Sequence, residues 1–138
     1  MRRLAVFLIL TIALGIAGGA IGLQALTARH EPVKRTPLLR MDLAECQGKE
    51  AVVILAVIAP GATAGKHFHP GQEFVYVLEG SGIFTIEGRP SVNMKAGDVI
   101  QVPPKQVHSN RNGSKTAPLR VLGFLVGEKG QPLTTEVK

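Results

Sequence analysis

The chain has 138 residues, enough for one folded domain and not comfortably for two. Only 19% of residues are charged, the net charge is +6, and no run of one sign is long enough for a disordered acidic or basic tail. The single cysteine, Cys46, excludes an intrachain disulfide and a cysteine-based zinc site, and the lack of a second long apolar run excludes a multi-pass membrane protein.

The chain begins Met1-Arg2-Arg3 and then runs almost wholly apolar from Leu4 to Leu26, ahead of the small-residue site Leu26-Thr27-Ala28. A short positive start, an apolar core and a small-residue exit are the marks of a secretory signal peptide over residues 1–28. The alternative is an uncleaved anchor through residues 4–26, long enough for a hydrocarbon core of roughly 30 Å. In both cases the positive end stays inside, so the domain is expected to be exported, either periplasmic or secreted, or held outside the inner membrane. Beyond residue 28, basic residues such as Lys34, Arg35, Lys66, Arg89 and Arg120 are scattered and not interleaved with aromatics, which argues against a nucleic-acid partner.

Residues 29–37 (RHEPVKRTP) read as an extended linker, because Pro32 and Pro37 disfavour helix, and His30 reads as a solvated side chain. Leu38 to Leu43 is a candidate first strand. Cys46 reads as a half-buried small residue, too far from the apolar segment for a lipoprotein. Ala51 to Ala59 is apolar and β-branched, as expected of a strand buried on both faces, and Pro60-Gly61 ends it. Further strands are expected at Phe74–Leu78, Ile83–Ile86, Ser91–Met94, Val99–Val102, Val107–Ser109 and Leu119–Val126, with turns at Gly80-Ser81-Gly82, Gly88-Arg89-Pro90, Ala96-Gly97-Asp98 and Arg111-Asn112-Gly113. Asn112-Gly113-Ser114 is formally a glycosylation sequon and is better read as a tight Asn-Gly turn. Residues 128–138 read as an irregular tail. Short strands about ten residues apart, with no helical periodicity and no repeat, predict an all-β fold with one barrel over residues 38–127.

The chemistry concentrates in His67-Phe68-His69-Pro70-Gly71-Gln72-Glu73. Two histidines two apart on extended chain face the same side, and Glu73 can return beside them after the Pro-Gly turn. His108 supplies a third imidazole. Three imidazoles and one carboxylate suit Fe(II), Mn(II), Ni(II), Cu(II) or Zn(II), one ion per chain, and four protein ligands on an octahedral ion leave two positions open. Alternation puts Val75 and Val77 on the face of Glu73 as candidate wall residues. Phe84, Met94, Gln101 and Gln106 are weaker candidates.

The glycine spacing around these residues resembles the cupin superfamily. Its first motif is matched by Gly61, five residues, His67-Phe68-His69, three residues, Glu73, six residues and Gly80. Its second is matched by Gly97, five residues, Pro103-Pro104-Lys105, two residues, His108, three residues and Asn112, with Lys105 standing where the family has glycine. If that position takes a positive φ, a lysine there costs roughly 1 kcal/mol; otherwise the loop uses another turn. The short stretch between the motifs is similar to that of small single-domain bacterial cupins, including the quercetin-dioxygenase-like group. The resemblance implies a conical jelly-roll barrel (a double-stranded β-helix) and a metal held by His67, His69, Glu73 and His108. It also implies a homodimer through sheet contacts. Because the superfamily spans many reactions, fold alone does not fix the function. The first expectation is a dioxygenase-like, metal-dependent oxidoreductase acting on a small organic substrate, with Glu73 able to leave the metal and serve as a base. The others are a non-catalytic, metal-dependent binder of a small carboxylate or sugar, a metal-dependent isomerase or lyase, and a barrel that serves only as a partner module.

Overall fold

The computed structural model describes residues 31–138. The apolar segment 4–26, the cleavage site at Ala28 and His30 lie outside the described residues. Ten strands follow in order: β1 (Val33–Asp42), β2 (Lys49–Ile58), β3 (Thr63–Phe68), β4 (Gln72–Glu79), β5 (Ser81–Ile86), β6 (Val92–Lys95), β7 (Val99–Val102), β8 (His108–Asn112), β9 (Leu119–Glu128) and β10 (Thr135–Glu136). They form two five-stranded antiparallel sheets, ordered β1-β2-β9-β4-β7 and β10-β3-β8-β5-β6.

Period-two alternation decides which side chains enter the space between the sheets. Along β4, Glu73, Val75 and Val77 are buried, whereas Phe74, Tyr76 and Leu78 are partly exposed on the outer face. Ile58, Val75, Val77, Phe84, Met94, Val102, Leu119 and Val121 form the main core. The chain passes from one sheet to the other where β4 meets β5, and Gly80 makes that passage. Its φ is +85°, and a Cβ there would lie 2.8 Å from the Pro118 carbonyl oxygen, so both conformation and space call for glycine.

Several sequence expectations are corrected. The expected linker 29–37 gives way to strand at Val33, and β1 pairs with β2 from Val33↔Ile58 to Asp42↔Glu50. Pro37 is accommodated because β1 is an edge strand whose register shifts between Pro37 and Leu39. β2 is not buried on both faces: Val52, Ile54 and Ile58 are buried, while Ala51, Val53, Leu55 and Val57 are half-buried on the outer face. Cys46 is exposed, since it sits in the β1–β2 turn and not in a strand. The tail is not wholly irregular, because β10 pairs with β3 through Thr135↔Phe68 and Glu136↔His67.

Asn112 does not open a tight turn. It is the buried last residue of β8, and its Nδ2 donates to the carbonyls of Ile58 (3.0 Å), Ala59 (3.2 Å) and Ala117 (2.8 Å) while its Oδ1 accepts from the Ser114 amide (2.9 Å). One side chain thereby satisfies the carbonyls of two separate segments.

Candidate metal centre

Three strands deliver the site. His67 lies on β3, with His69 just beyond its end, and His108 opens β8 directly across from His67. Glu73 comes from β4 in the opposite sheet. The Pro70-Gly71 turn joins the two contributions, and it requires glycine: a Cβ at Gly71 would lie 2.1 Å from the Val126 carbonyl oxygen. His67, His69, Glu73 and His108 are all buried, at 3–6% exposure. One ligand nitrogen from each histidine falls within 4.8 Å of the others. Phe84 stacks on the His108 ring at 5.5 Å and 16°, fixing its plane.

The tautomers are set by the backbone. The Nδ1 atoms lie 2.6 Å from the Gly65 carbonyl (His67), 2.5 Å from the Leu133 carbonyl (His69) and 3.0 Å from the Gln106 carbonyl (His108). A carbonyl can only accept, so each Nδ1 carries the proton and each neutral ring keeps its lone pair on Nε2. Glu73 Oε2 sits 3.2 Å from His108 Nε2 and 3.4 Å from His69 Nε2, yet it is buried without a hydrogen-bond partner. Acceptors thus face acceptors in a buried space, an arrangement that needs a proton or a cation among them. The N₃ set with a carboxylate oxygen nearby fits a first-row divalent transition ion, and the carbonyl-bound Nδ1–H groups are the outer partners that orient such ligands. The buried His67/His69/His108 cluster is compatible with one divalent metal site.

The titration behaviour agrees. Burial pushes His67 down to about 4, against the hydrogen bond to Gly65, and the charges of His108, His69 and Arg35 lower it further. Burial likewise lowers His69, with Glu73 opposing. Burial pushes the Glu73 carboxyl up, but the close approach of His108 and the charges that the imidazoles carry when protonated outweigh it and hold the group below its usual range. Neutral imidazoles and an ionised carboxylate are the protonation states a metal requires.

The cluster opens into a cavity of about 40 Å³. Val75 lines it, as expected from alternation, but Val77 belongs to the core beyond it. Phe84 backs His108 and Met94 packs in the core, so neither reaches the cavity. Gln101 is exposed; the Gln106 side chain donates to the Glu87 carbonyl (3.1 Å), and only its own carbonyl serves the site. Lys105 resolves the departure in the second motif: it adopts φ 61°, and its amide donates to the His69 carbonyl at 2.8 Å, tying the two motif loops together.

Sequence reasoning missed four contributors. Arg35 and Asn110 line the cavity, Gly123 makes room for Glu73, and Leu133 holds His69. A Cβ at Gly123 would lie 3.0 Å from Glu73 Oε1. Glycine within an otherwise apolar strand was the available signal for a close approach.

Comparison with known proteins places this geometry. Residues 54–125 match the Cupin domain family model. An oxalate-binding protein of Thermotoga maritima is 38% identical over 60 residues, covering 43% of this chain and 49% of that protein. A 3-hydroxyanthranilate 3,4-dioxygenase of Xanthomonas euvesicatoria pv. vesicatoria is 26% identical over 92 residues, covering 64% of this chain and 50% of the enzyme. The chain thus spans about half the length of the curated relatives it matches. A double-stranded β-helix protein of Klebsiella pneumoniae superposes with a TM-score of 0.63 at 22% identity, over 79% of this chain and 87% of the other, a likeness of fold alone.

Proposed function

The chain belongs to the Cupin domain family, and on that footing we propose that it is a metal-dependent oxidoreductase, dioxygenase-like and related to the quercetin-dioxygenase-like small cupins, acting on a small organic substrate. The observation that carries the proposal is the cluster of three carbonyl-oriented imidazoles, two of which, His69 and His108, face the orphaned Oε2 of Glu73. In this reading His67, His69 and His108 hold the metal through Nε2, and Glu73 is the fourth ligand. When bound, a first-row divalent ion supplies Lewis-acid polarisation and, if redox-active, an electron path between substrate and dioxygen. The chain's own groups do the rest. Val75, Val121 and Leu125 keep the cavity apolar. Glu73 would be a ligand of the metal and, where its carboxylate is free, the base that accepts a substrate proton at Oε2. Gly123 leaves room for the Glu73 carboxylate where it stands.

A second reading, a non-catalytic, metal-dependent small-molecule binder, is favoured by the likeness to the oxalate-binding protein of Thermotoga maritima. We place the domain outside the cytoplasm, periplasmic or secreted, on the strength of the apolar segment 4–26, and we read it as a homodimer. The test is elemental analysis of full-length protein exported by its own leader, followed by oxygen uptake with phenolic and enolic substrates. About one transition ion per chain with substrate-dependent oxygen uptake is expected. Ligand retention without turnover moves the assignment to the second reading, and absence of metal after reconstitution overturns both.

A further inference from the structure

Among the described residues, Arg35 is the one Arg or Lys side chain that lines the metal cavity. It reaches that position because β1 is a strand. Val33 and Arg35 alternate onto the inner face of the first sheet, opposite Ile58 and Ala56 of β2, which line the same cavity. Arg40, farther along β1, donates from Nη1 to both carboxylate oxygens of Glu50, at 2.7 and 2.9 Å. Arg35 has no such partner: among the described residues no carboxylate lies within 4 Å of it. Arg35 is an exposed residue that also lines the cavity, so it meets both solvent and the site.

Asn110 on β8 is a second, independent sign. It lines the cavity, it is 92% buried, and its Oδ1 has no hydrogen-bond partner. A half-turn of the amide about its last bond presents Nδ2 instead, so this side chain can serve a polar atom of either kind. Apart from these two groups and the metal ligands, the lining is apolar.

Resting on the metal reading above, we propose that Arg35 makes the cavity a receptor for a small carboxylate or enolate anion, with one oxygen group at the metal end and a second anionic group on the Arg35 guanidinium. Three features fix the class. A divalent ion, one carboxylate and one guanidinium leave the site two charges positive, so neutral ligands leave it unbalanced. Guanidinium geometry favours the planar, two-oxygen face of a carboxylate. The cavity, about 40 Å³, is small, so the group at the metal end is a compact one. Arg35 acts here as a specificity residue and takes no proton in the reaction.

The test uses the full chain loaded with one equivalent of Co(II), titrated calorimetrically with malonate and with the neutral analogue malonamide. Cobalt content and its visible absorption are recorded before each titration. Malonate is expected to bind at least tenfold tighter than malonamide. Arg35→Gln should lower malonate affinity about tenfold with cobalt content and spectrum unchanged. Arg35→Lys should recover part of the loss, and Arg120→Gln, which removes the same charge elsewhere on the surface, should stay within twofold of the parent. Equal malonate affinity in Arg35→Gln and the parent, or malonamide binding as tightly as malonate, overturns the proposal and leaves the metal reading standing. A chain that takes up no cobalt overturns the metal reading, and the proposal with it.

Discussion

Acidifying the metal-free protein should destabilise it, and His67 sets most of the slope. Its pKa falls from 6.5 to about 4 on folding. Between those values the unfolded chain binds the proton and the folded chain does not, so stability rises with pH across this window and is lost as pH falls. At 1.36 kcal/mol per unit, the full difference is about 3 kcal/mol, of which about 2 kcal/mol is lost between pH 7 and pH 4.5. His67 is 5% exposed, so solvent screening does not reduce this much. His69 and Glu73 are also lowered, and both act in the same direction, His69 in the mildly acidic range and Glu73 lower. A domain whose total stability is about 5–15 kcal/mol feels such a loss as a large fall in denaturation midpoint. The assay is urea denaturation of chelator-stripped protein, followed by circular dichroism at intervals from pH 7 to pH 4.5, in the parent and in His67→Asn. The parent should lose about 2 kcal/mol more than the variant over that interval. Equal pH slopes in the two proteins would refute the reasoning, because burial of a neutral imidazole at position 67 could then not be the source.

Four further outcomes are expected. His67→Ala or His108→Ala should weaken metal binding at least 100-fold by competition with a chromophoric chelator, whereas His30→Ala should leave it unchanged. Lys105→Gly should raise stability by roughly 0.5–1 kcal/mol in chemical denaturation, since relief of the positive φ exceeds the added chain entropy. Gly123→Ala should cost about 1–3 kcal/mol and lower metal affinity, because the new methyl crowds Glu73 Oε1. Asn112→Ala should cost about 3 kcal/mol or more by denaturation, since it strips the buried carbonyl of Ile58 and the carbonyls of Ala59 and Ala117 of a shared donor.

The site was legible because the turns that bracket it need residues of one kind. Gly61, Gly80 and Gly97 all adopt positive φ, so their spacing to His67, His69, Glu73 and His108 records real corners of the chain. The all-β class was legible from strands separated by such corners, and Val99–Val102 has the boundaries expected from alternation. Only the second half of the edge strand β1 was legible, from the strand expected at Leu38–Leu43. Pro32 and Pro37 give residues 33–37 the local signature of a linker, and only pairing with β2 turns them into strand. That misreading also hid Arg35, because a residue in a linker has no inner face. The role of Leu133 was hidden for another reason: a main-chain carbonyl 64 residues from the ring it holds leaves no mark in side-chain composition.

The bond from His69 Nδ1 to the Leu133 carbonyl would give the segment that carries β10 a share in the affinity of a metal bound at the cluster. With β10 laid along β3, the tail works as a latch on one ligand ring. Linkage runs both ways, so an ion that prefers the oriented ring must tighten the latch by the same free energy that the latch lends to the ion. Hydrogen exchange in β10 should therefore be slower in the loaded protein than in the empty one.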